Sequence, residues 1–277
     1  MADAARLTGV AAIDESRLRA SVRELGSAVI AYSGGVDSAT LLAVAAGELG
    51  ERVLAVTGRS PSLASGEAQS ALRVARAIGA KHEFIATNEF DNPNYVSNPA
   101  NRCYYCKDEL YGRLTRLALE RGFAHVADGC NADDGTFGLD MRPGRSAAKR
   151  HGVRSPLAET GFTKAAVRDL ARRLGLRVWD KPATPCLSSR IPHGARVEPD
   201  VLRRIDLAER YLRARGFREV RVRHFGAAAR IEVPLDDVAR LATAQNAVTR
   251  ALRAIGYERV EIDPRGYRMG SLNDTSL

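Results

Sequence analysis

The chain has 277 residues, 45% of them hydrophobic, and a formal net charge of +9; this length accommodates one large α/β domain and a smaller companion, each with its own core. No run of about 18 apolar residues occurs, and Met1 to Ala12 lacks a basic stretch followed by an apolar one, so neither a membrane span nor a secretory signal is indicated and the cytoplasm is the expected compartment. The basic charge attracts a nucleotide or an anionic metabolite as readily as RNA, and part of it, such as Arg168, Arg172 and Arg173, reads as solvated helix surface.

The apolar run Ser27 to Tyr32 enters a Gly pair and is followed by Leu41, Leu42, Val44, Ala45 and Leu49 at helical spacing, which predicts a strand, a tight turn and a helix. A strand over Arg52 to Thr57, a helix over Ser65 to Ile78 stopped by Gly79, and a strand over His82 to Ala86 continue the alternation, so a parallel sheet is expected. Asn88 to Asn101, rich in Asn and Pro, is a loop leading into a helix over Tyr104 to Arg121. Ala124 to Ala127 then forms a strand ending at Asp128-Gly129. Cys130 to Gly152 reads as a long loop over the strand ends, where such sheets bind ligands. Thr163 can cap a helix that runs to Leu174, with Gly175 at its far end.

Pro182, Pro185, Pro192 and Pro199 prevent a regular helix over Asp180 to Pro199, which reads as an interdomain linker. Beyond it, Leu212 to Val222 and Leu252 to Ile262 match in residue type and order, each a helix, a Gly stop and a strand. With Ala229 to Val233 as a further strand, a three-stranded sheet backed by two helices is expected. The expected division is residues 1–182, an α/β domain with a parallel sheet, and residues 183–277, a smaller α+β domain.

Chemistry concentrates in a few places. Ser33-Gly34-Gly35-Val36-Asp37-Ser38 lies between the first strand and its helix, where two glycines admit a phosphate close to the backbone and the N–H groups of the helix start point at it. Ser33 and Ser38 add hydroxyl donors, and Asp37 can hold Mg²⁺ against a leaving pyrophosphate. An ordinary Gly-rich turn is the bland reading, but the hexapeptide resembles the signature of the PP-loop ATP-pyrophosphatases, which attach AMP to a carboxylate or carbonyl oxygen before a nucleophile displaces it. Four cysteines in an intracellular chain suit metal or redox chemistry. Cys103 and Cys106 sit one helical turn apart, suited to a shared metal, and Cys186 could supply a third thiolate. A zinc site completed by Cys130, or an inert buried pair, remain open. Arg221 and Arg223 alternate with Val220 and Val222 on a strand, so both guanidinium groups share a face and suit a phosphate. Glu209 and Glu232 could bind a cation, orient these arginines or form solvated ion pairs.

From about Leu25 almost to its end, the chain resembles the LarE family of pyridinium-3,5-biscarboxylic acid mononucleotide sulfurtransferases. Beside the PP-loop, the resemblance rests on Asp128-Gly129 with Asn131-Ala132-Asp133-Asp134, Arg142-Pro143-Gly144, Gly152 to Leu157, Lys181-Pro182-Ala183, Pro185 to Pro192, Arg221-Val222-Arg223 and Arg230-Ile231-Glu232. It implies ATP-dependent sulfur transfer in the biosynthesis of the nickel-pincer nucleotide, with Asp37 and Cys186 catalytic. ATP would be bound by Ser33, Gly34, Gly35, Asp37, Ser38, Asp128 and Arg142. The substrate phosphate would lie on Ser189, Arg190, Arg221 and Arg223, with Glu209 and Glu232 near a cation. Some members sacrifice a lone cysteine at the position of Cys186; others hold a [4Fe-4S] cluster on three, and Cys103, Cys106 and Cys186 place this chain with the latter. Cys130 departs from the family, where Thr is expected. The partners expected are the mononucleotide, sulfide or another sulfur donor, and further copies of the chain as a homo-oligomer, with neither membrane nor nucleic acid. Two rival readings are a PP-loop tRNA thiolase, which would show salt-sensitive tRNA binding, and a non-catalytic nucleotide-binding regulator, which substrate-dependent pyrophosphate release would exclude.

Overall fold

The computed structural model describes residues 15–135, 143–268 and 272. In chain order its elements are α1 (15–24), β1 (Ala28–Ala31), α2 (Val36–Leu49), β2 (Val53–Arg59), α3 (Ser65–Ile78), β3 (His82–Ala86), α4 (Pro93–Val96) and α5 (Arg102–Glu120). There follow β4 (His125–Asp128), α6 (Pro143–Arg150), α7 (Pro156–Glu159), α8 (Lys164–Arg173), α9 (Pro199–Arg213), β5 (Arg221–Phe225), β6 (Ala228–Glu232), α10 (Leu235–Thr243), α11 (Gln245–Ile255) and β7 (Arg259–Ile262). The chain forms two compact units: Met1–Ser60, Glu67–Glu89 and Asn101–Thr184 make the first, and Pro61–Gly66, Phe90–Ala100 and Pro185–Leu277 the second.

The first unit is an α/β domain around a parallel sheet of order β3-β2-β1-β4. Every residue of β1 is buried, because both faces of the sheet are covered. Ala28, Ile30, Val53 and Ala55 face a core shared with α1, α2, α3 and α8, while Val29, Ala31, Leu54 and Val56 face Tyr111, Leu114 and Ala118 of α5 and Ala147 and Ala148 of α6. The chain leaves β1 toward β2 and β3 on one side and returns to β4 on the other, so the strand order reverses beside β1. In such sheets that is where the carboxyl ends of neighbouring strands open a crevice for ligands.

The second unit pairs β5 antiparallel to β6 and β6 parallel to β7. Phe217, Val220, Val222, Ile231, Leu241, Val248 and Leu252 lie in its core. Three helices flank this sheet rather than the expected two: α10 was missed because its apolar side is short, with Leu241 buried and Val238 packed behind it. The unit also takes in two excursions from the N-terminal half. Ser62 O accepts from Leu187 N–H at 2.9 Å, Val96 O from Val197 N–H at 2.9 Å and Asn98 O from Gly194 N–H at 2.9 Å. The Asn98 amide donates to Pro192 O at 2.7 Å and Ala195 O at 2.9 Å. The Pro-rich segment is thereby fixed without a regular element, apart from one 3₁₀ turn at Leu187–Arg190.

A second correction concerns Cys130 to Gly152, expected as loop throughout. It contains a 3₁₀ turn, Ala132–Gly135, and α6, whose Ala147 and Ala148 are buried on the sheet side. Two alanines in a basic segment give too faint an apolar stripe to read as a helix. Among the described residues no helix is long and apolar enough to cross a membrane.

Candidate functional site

The turn after β1 is shaped by contact as much as by glycine freedom. Gly34 has φ +73°, and a Cβ there would lie 2.7 Å from the Ala71 Cα of α3. Gly35 caps α2 without a side chain, leaving the N-terminal N–H groups of that helix facing outward. The hydroxyls of Ser33 and Ser38 are 3.1 Å apart; Ser38 Oγ also accepts from Ser33 N–H at 3.2 Å, and Ser33 Oγ accepts from Gly35 N–H at 3.3 Å. The hexapeptide is thus a closed cradle.

Beside it, the end of β4 packs directly onto α2. A Cβ on Gly129 would sit 2.6 Å from Ser38 N, so only glycine allows this approach. Asp128 is buried, accepting from Tyr111 Oη at 2.5 Å, Ser155 Oγ at 2.8 Å and Cys130 N–H at 3.1 Å. A cavity of about 240 Å³ opens here, lined by Ser33, Asp37, Ser38, Asp128, Gly129 and Cys130 together with Lys107, Asp134 and Arg145. The neighbouring Tyr111 and then Asp128 hold the Lys107 ammonium above its usual range, against the opposing effect of burial. Burial first, and then Asp128 and Asp134, push the Cys130 thiol up to about 12. The cavity therefore offers cations to a polyphosphate and a thiol that stays protonated.

Asp37 is held in a closed ring. Lys164 Nζ lies 2.5 Å from its Oδ2 and Asn131 Nδ2 lies 3.2 Å from its Oδ1, while Asp133 accepts from Lys164 N–H at 2.7 Å and donates its own N–H to Asn131 Oδ1 at 3.0 Å. On the other side of the turn, Lys181 Nζ lies 2.7 Å from Glu67 and 3.4 Å from Gly34 O. Sequence reasoning missed Lys107, Lys164 and Lys181 as neighbours of the cradle. Lys181 stood in a quoted motif without a role; Lys107, one residue past Cys106, and Lys164, one past the Thr163 cap, look like any helix-surface lysine. A carboxylate beside a phosphate-cradling turn suits Mg²⁺, and Asp37 is the residue that would hold it. Arg142, expected at ATP, lies outside the described residues.

In the second unit, Cys186 is exposed and precedes the 3₁₀ turn. Arg190 is completely buried: Nε and Nη2 donate to Glu209 at 2.8 and 3.1 Å, and Nη1 donates to Pro185 O at 2.7 Å, Cys186 O at 3.0 Å and Ser189 Oγ at 2.8 Å. Glu209 also accepts from Arg213 at 2.6 Å and Val222 N–H at 3.1 Å; burial acts upward on its carboxyl, but Arg190 and Arg213 hold it below the usual range. Arg223 donates to Glu232 at 2.9 Å and to Ser189 O at 2.9 Å. Glu209 and Glu232, expected either to bind a cation or to orient the arginines, pair with arginines here. Arg221, on the same face of β5, donates to Val220 O at 3.0 Å and lies 5.2 Å from the Tyr267 ring centroid. Burial, then the like charge of Arg190, press its guanidinium pKa downward, an environment that favours a bound anion.

Cys103 and Cys106 lie in the first turn of α5, the former exposed and the latter half-buried. Among the described residues no group of three or more His, Cys, Asp or Glu is gathered to hold a metal ion.

A glycine cradle closing the first parallel strand, backed by the buried Asp128 carboxylate and by cations at the reversal point of the sheet, defines a PP-loop enzyme that uses ATP. In keeping with this, residues 15–102 match the asparagine synthase family. The chain is 35% identical over 265 residues, 95% of each chain, to the pyridinium-3,5-bisthiocarboxylic acid mononucleotide synthase of Lactiplantibacillus plantarum. It is 45% identical over 258 residues to an uncharacterized protein of Synechocystis sp., covering 92% of this chain and 95% of that one. An uncharacterized protein of Methanocaldococcus jannaschii shares 27% over 240 residues, 87% of this chain and 90% of its own. The chain belongs to the LarE family, and it is an ATP-dependent sulfurtransferase.

Proposed function

We propose that the protein adenylates a carboxylate of pyridinium-3,5-biscarboxylic acid mononucleotide and exchanges the adenylate for sulfur, on the way to a nickel-pincer nucleotide. The observation that carries this reading is the near full-length match to the synthase of L. plantarum. In the first step a substrate carboxylate oxygen attacks the α-phosphorus of ATP, forming the acyl-adenylate and releasing pyrophosphate. In the second, a hydrosulfide-level nucleophile adds to the acyl carbon, the C–O bond to AMP breaks, and thiocarboxylate, AMP and a proton are the products. Adenylation is required because oxide is a poor leaving group and AMP a good one.

This chain's residues fit those steps. The α2 N-terminus with Ser33 and Ser38 would bind the phosphates, and Lys107 and Arg145 would offset their charge. Mg²⁺ on Asp37 would neutralise pyrophosphate as it leaves. Arg221, with Arg223 beside it, would take the phosphate of the mononucleotide. For the sulfur, Cys186 is the exposed thiol on a fixed turn, and the sequence pattern of Cys103, Cys106 and Cys186 supports a cluster held by the three.

The test is to incubate the protein anaerobically with ATP, Mg²⁺, sulfide and the mononucleotide. Pyrophosphate release should depend on the mononucleotide, and the product should show the mass increase of an oxygen-to-sulfur exchange. Release that ignores the mononucleotide but responds to tRNA would replace this reading with an RNA-thiolating one.

A further inference from the structure

We propose that Arg190 is a positioning residue that fixes the turn carrying Cys186, and that it does not bind the substrate phosphate. The inference deepens the sulfur-transfer reading and rests on it for its kinetic consequence. All three guanidinium nitrogens are engaged within the protein, and the side chain has no exposed surface. To reach a phosphate it would have to give up both bonds to Glu209, leaving that buried carboxylate with Arg213 and Val222 N–H alone, which is unfavourable.

What Arg190 does hold is backbone. Two successive carbonyls, of Pro185 and Cys186, converge on Nη1, so the chain curls around the guanidinium at Cys186 itself. Ser189 Oγ donates to the same Cys186 carbonyl at 2.8 Å, and Arg223 donates to Ser189 O at 2.9 Å. The next two residues are tied from the other side: Leu187 N–H donates to Ser62 O at 2.9 Å, and Ser188 Oγ meets Tyr95 Oη at 2.8 Å. Backbone atoms around Cys186 are bonded while its side chain stays exposed. A cysteine that fixes where sulfur is delivered needs that arrangement, since a displacement of about 1 Å between reacting groups can cost roughly a hundredfold in rate. Glu209 completes the device by neutralising Arg190 and anchoring it to Val222 N–H of β5.

The experiment compares wild type with Arg190→Lys, which keeps the charge but loses the planar fork, and with Ser189→Ala, which leaves the buried ion pair intact should the first variant fold poorly. Two readouts are taken. Hydrogen exchange without substrate should accelerate in peptides spanning 185–192 and stay unchanged in the α2 and β1 peptides; unchanged exchange in 185–192 overturns the proposal, whatever the activity of the protein. In single turnover of Arg190→Lys, pyrophosphate release and the KM for the mononucleotide should stay within about twofold of wild type, while thiocarboxylate formation falls about tenfold or more; Ser189→Ala is read by hydrogen exchange alone. A KM rise with parallel loss of both half-reactions would make Arg190 a phosphate ligand and overturn the proposal. Wild-type protein that releases no pyrophosphate with the mononucleotide would sink the functional reading and leave hydrogen exchange to decide the structural claim.

Discussion

Lys164 sets its ammonium 2.5 Å from the Asp37 carboxylate, on the oxygen that Asn131 leaves open. A divalent cation on that carboxylate must displace the ammonium, so the two compete for one charge. Lys164→Met should lower the Mg²⁺ concentration giving half-maximal pyrophosphate release severalfold, and Asp37→Asn should reduce release by about a hundredfold or more. Both variants should melt within a few degrees of wild type, because a half-exposed pair of this kind contributes about 0–1 kcal/mol. An unchanged Mg²⁺ dependence in Lys164→Met would show that the metal binds elsewhere.

Gly129 supports the same site from behind. Its missing Cβ leaves room for Ser38 N at 2.6 Å and Ser38 Cα at 2.8 Å, atoms of the first turn of α2 that cannot rotate away. Gly129→Ala should therefore destabilise the protein by about 1–3 kcal/mol and weaken ATP binding by moving the helix N-terminus. Gly66→Ala is the control: nothing lies within 4 Å of a Cβ there, and Gly66 is in the first turn of α3, so stability should hold or rise slightly. Equal melting temperatures and ATP affinities for Gly129→Ala and wild type would refute the close-approach argument.

The parallel sheet, the PP-loop and the buried faces of β1 and β2 were legible because apolar runs alternate with helical spacing, and because a Gly pair after a strand has few other uses. β3 and α3 fall where their punctuation, Gly79 and the charged flanks, places them. What escaped were features set by tertiary contact. Ala147 and Ala148 become a helix face only because α5 offers them a surface. Lys164 and Lys181 carry no local mark, since their partners Asp37 and Glu67 lie far away in sequence. Arg190 was readable as a basic residue in a distinctive motif, but Glu209, 19 positions on, decides that it faces inward. The excursions Pro61–Gly66 and Phe90–Ala100 could not be assigned to the second unit, since their bonds to the Pro-rich segment involve backbone carbonyls, one asparagine amide and one tyrosine hydroxyl, none of which carries a local sequence signal.

Cys130 lines the cavity with its thiol pushed from an ordinary 9.0 up to about 12 by burial and by Asp128 and Asp134. The folded protein keeps that proton while the unfolded chain gives it up. The linkage therefore costs nothing below about pH 9 and erodes stability as pH rises from 9.0 toward 12. Cys130→Thr should remove this contribution, so its melting temperature should fall less steeply across that window than the wild type's while matching it in pH dependence near neutrality. At pH 8, iodoacetamide should label the exposed Cys186 well before Cys130. Parallel alkaline profiles for the two proteins would show that the thiol is not perturbed.

The remaining prediction concerns the fate of Cys186, where two routes of sulfur delivery leave opposite marks on the chain. If the residue gives up its own sulfur, each chain turns over once and loses the mass of one H₂S, leaving dehydroalanine. If it is a metal ligand, its mass is unchanged and turnover repeats as long as sulfide is supplied. The second outcome is expected. Cys103 and Cys106 share the first turn of α5, and a sacrificial route would give this pair no task. With Cys186 they make three ligands, the number that leaves one iron of a four-iron cluster open. Protein purified anaerobically should be brown and carry about four irons per chain. Replacing Cys103, Cys106 or Cys186 singly by Ser should lower that iron content, and Cys130→Thr should preserve it. Colourless protein that turns over once and carries dehydroalanine at position 186 would establish the sacrificial route instead, and one zinc per chain in place of iron would reassign the thiols to a structural site.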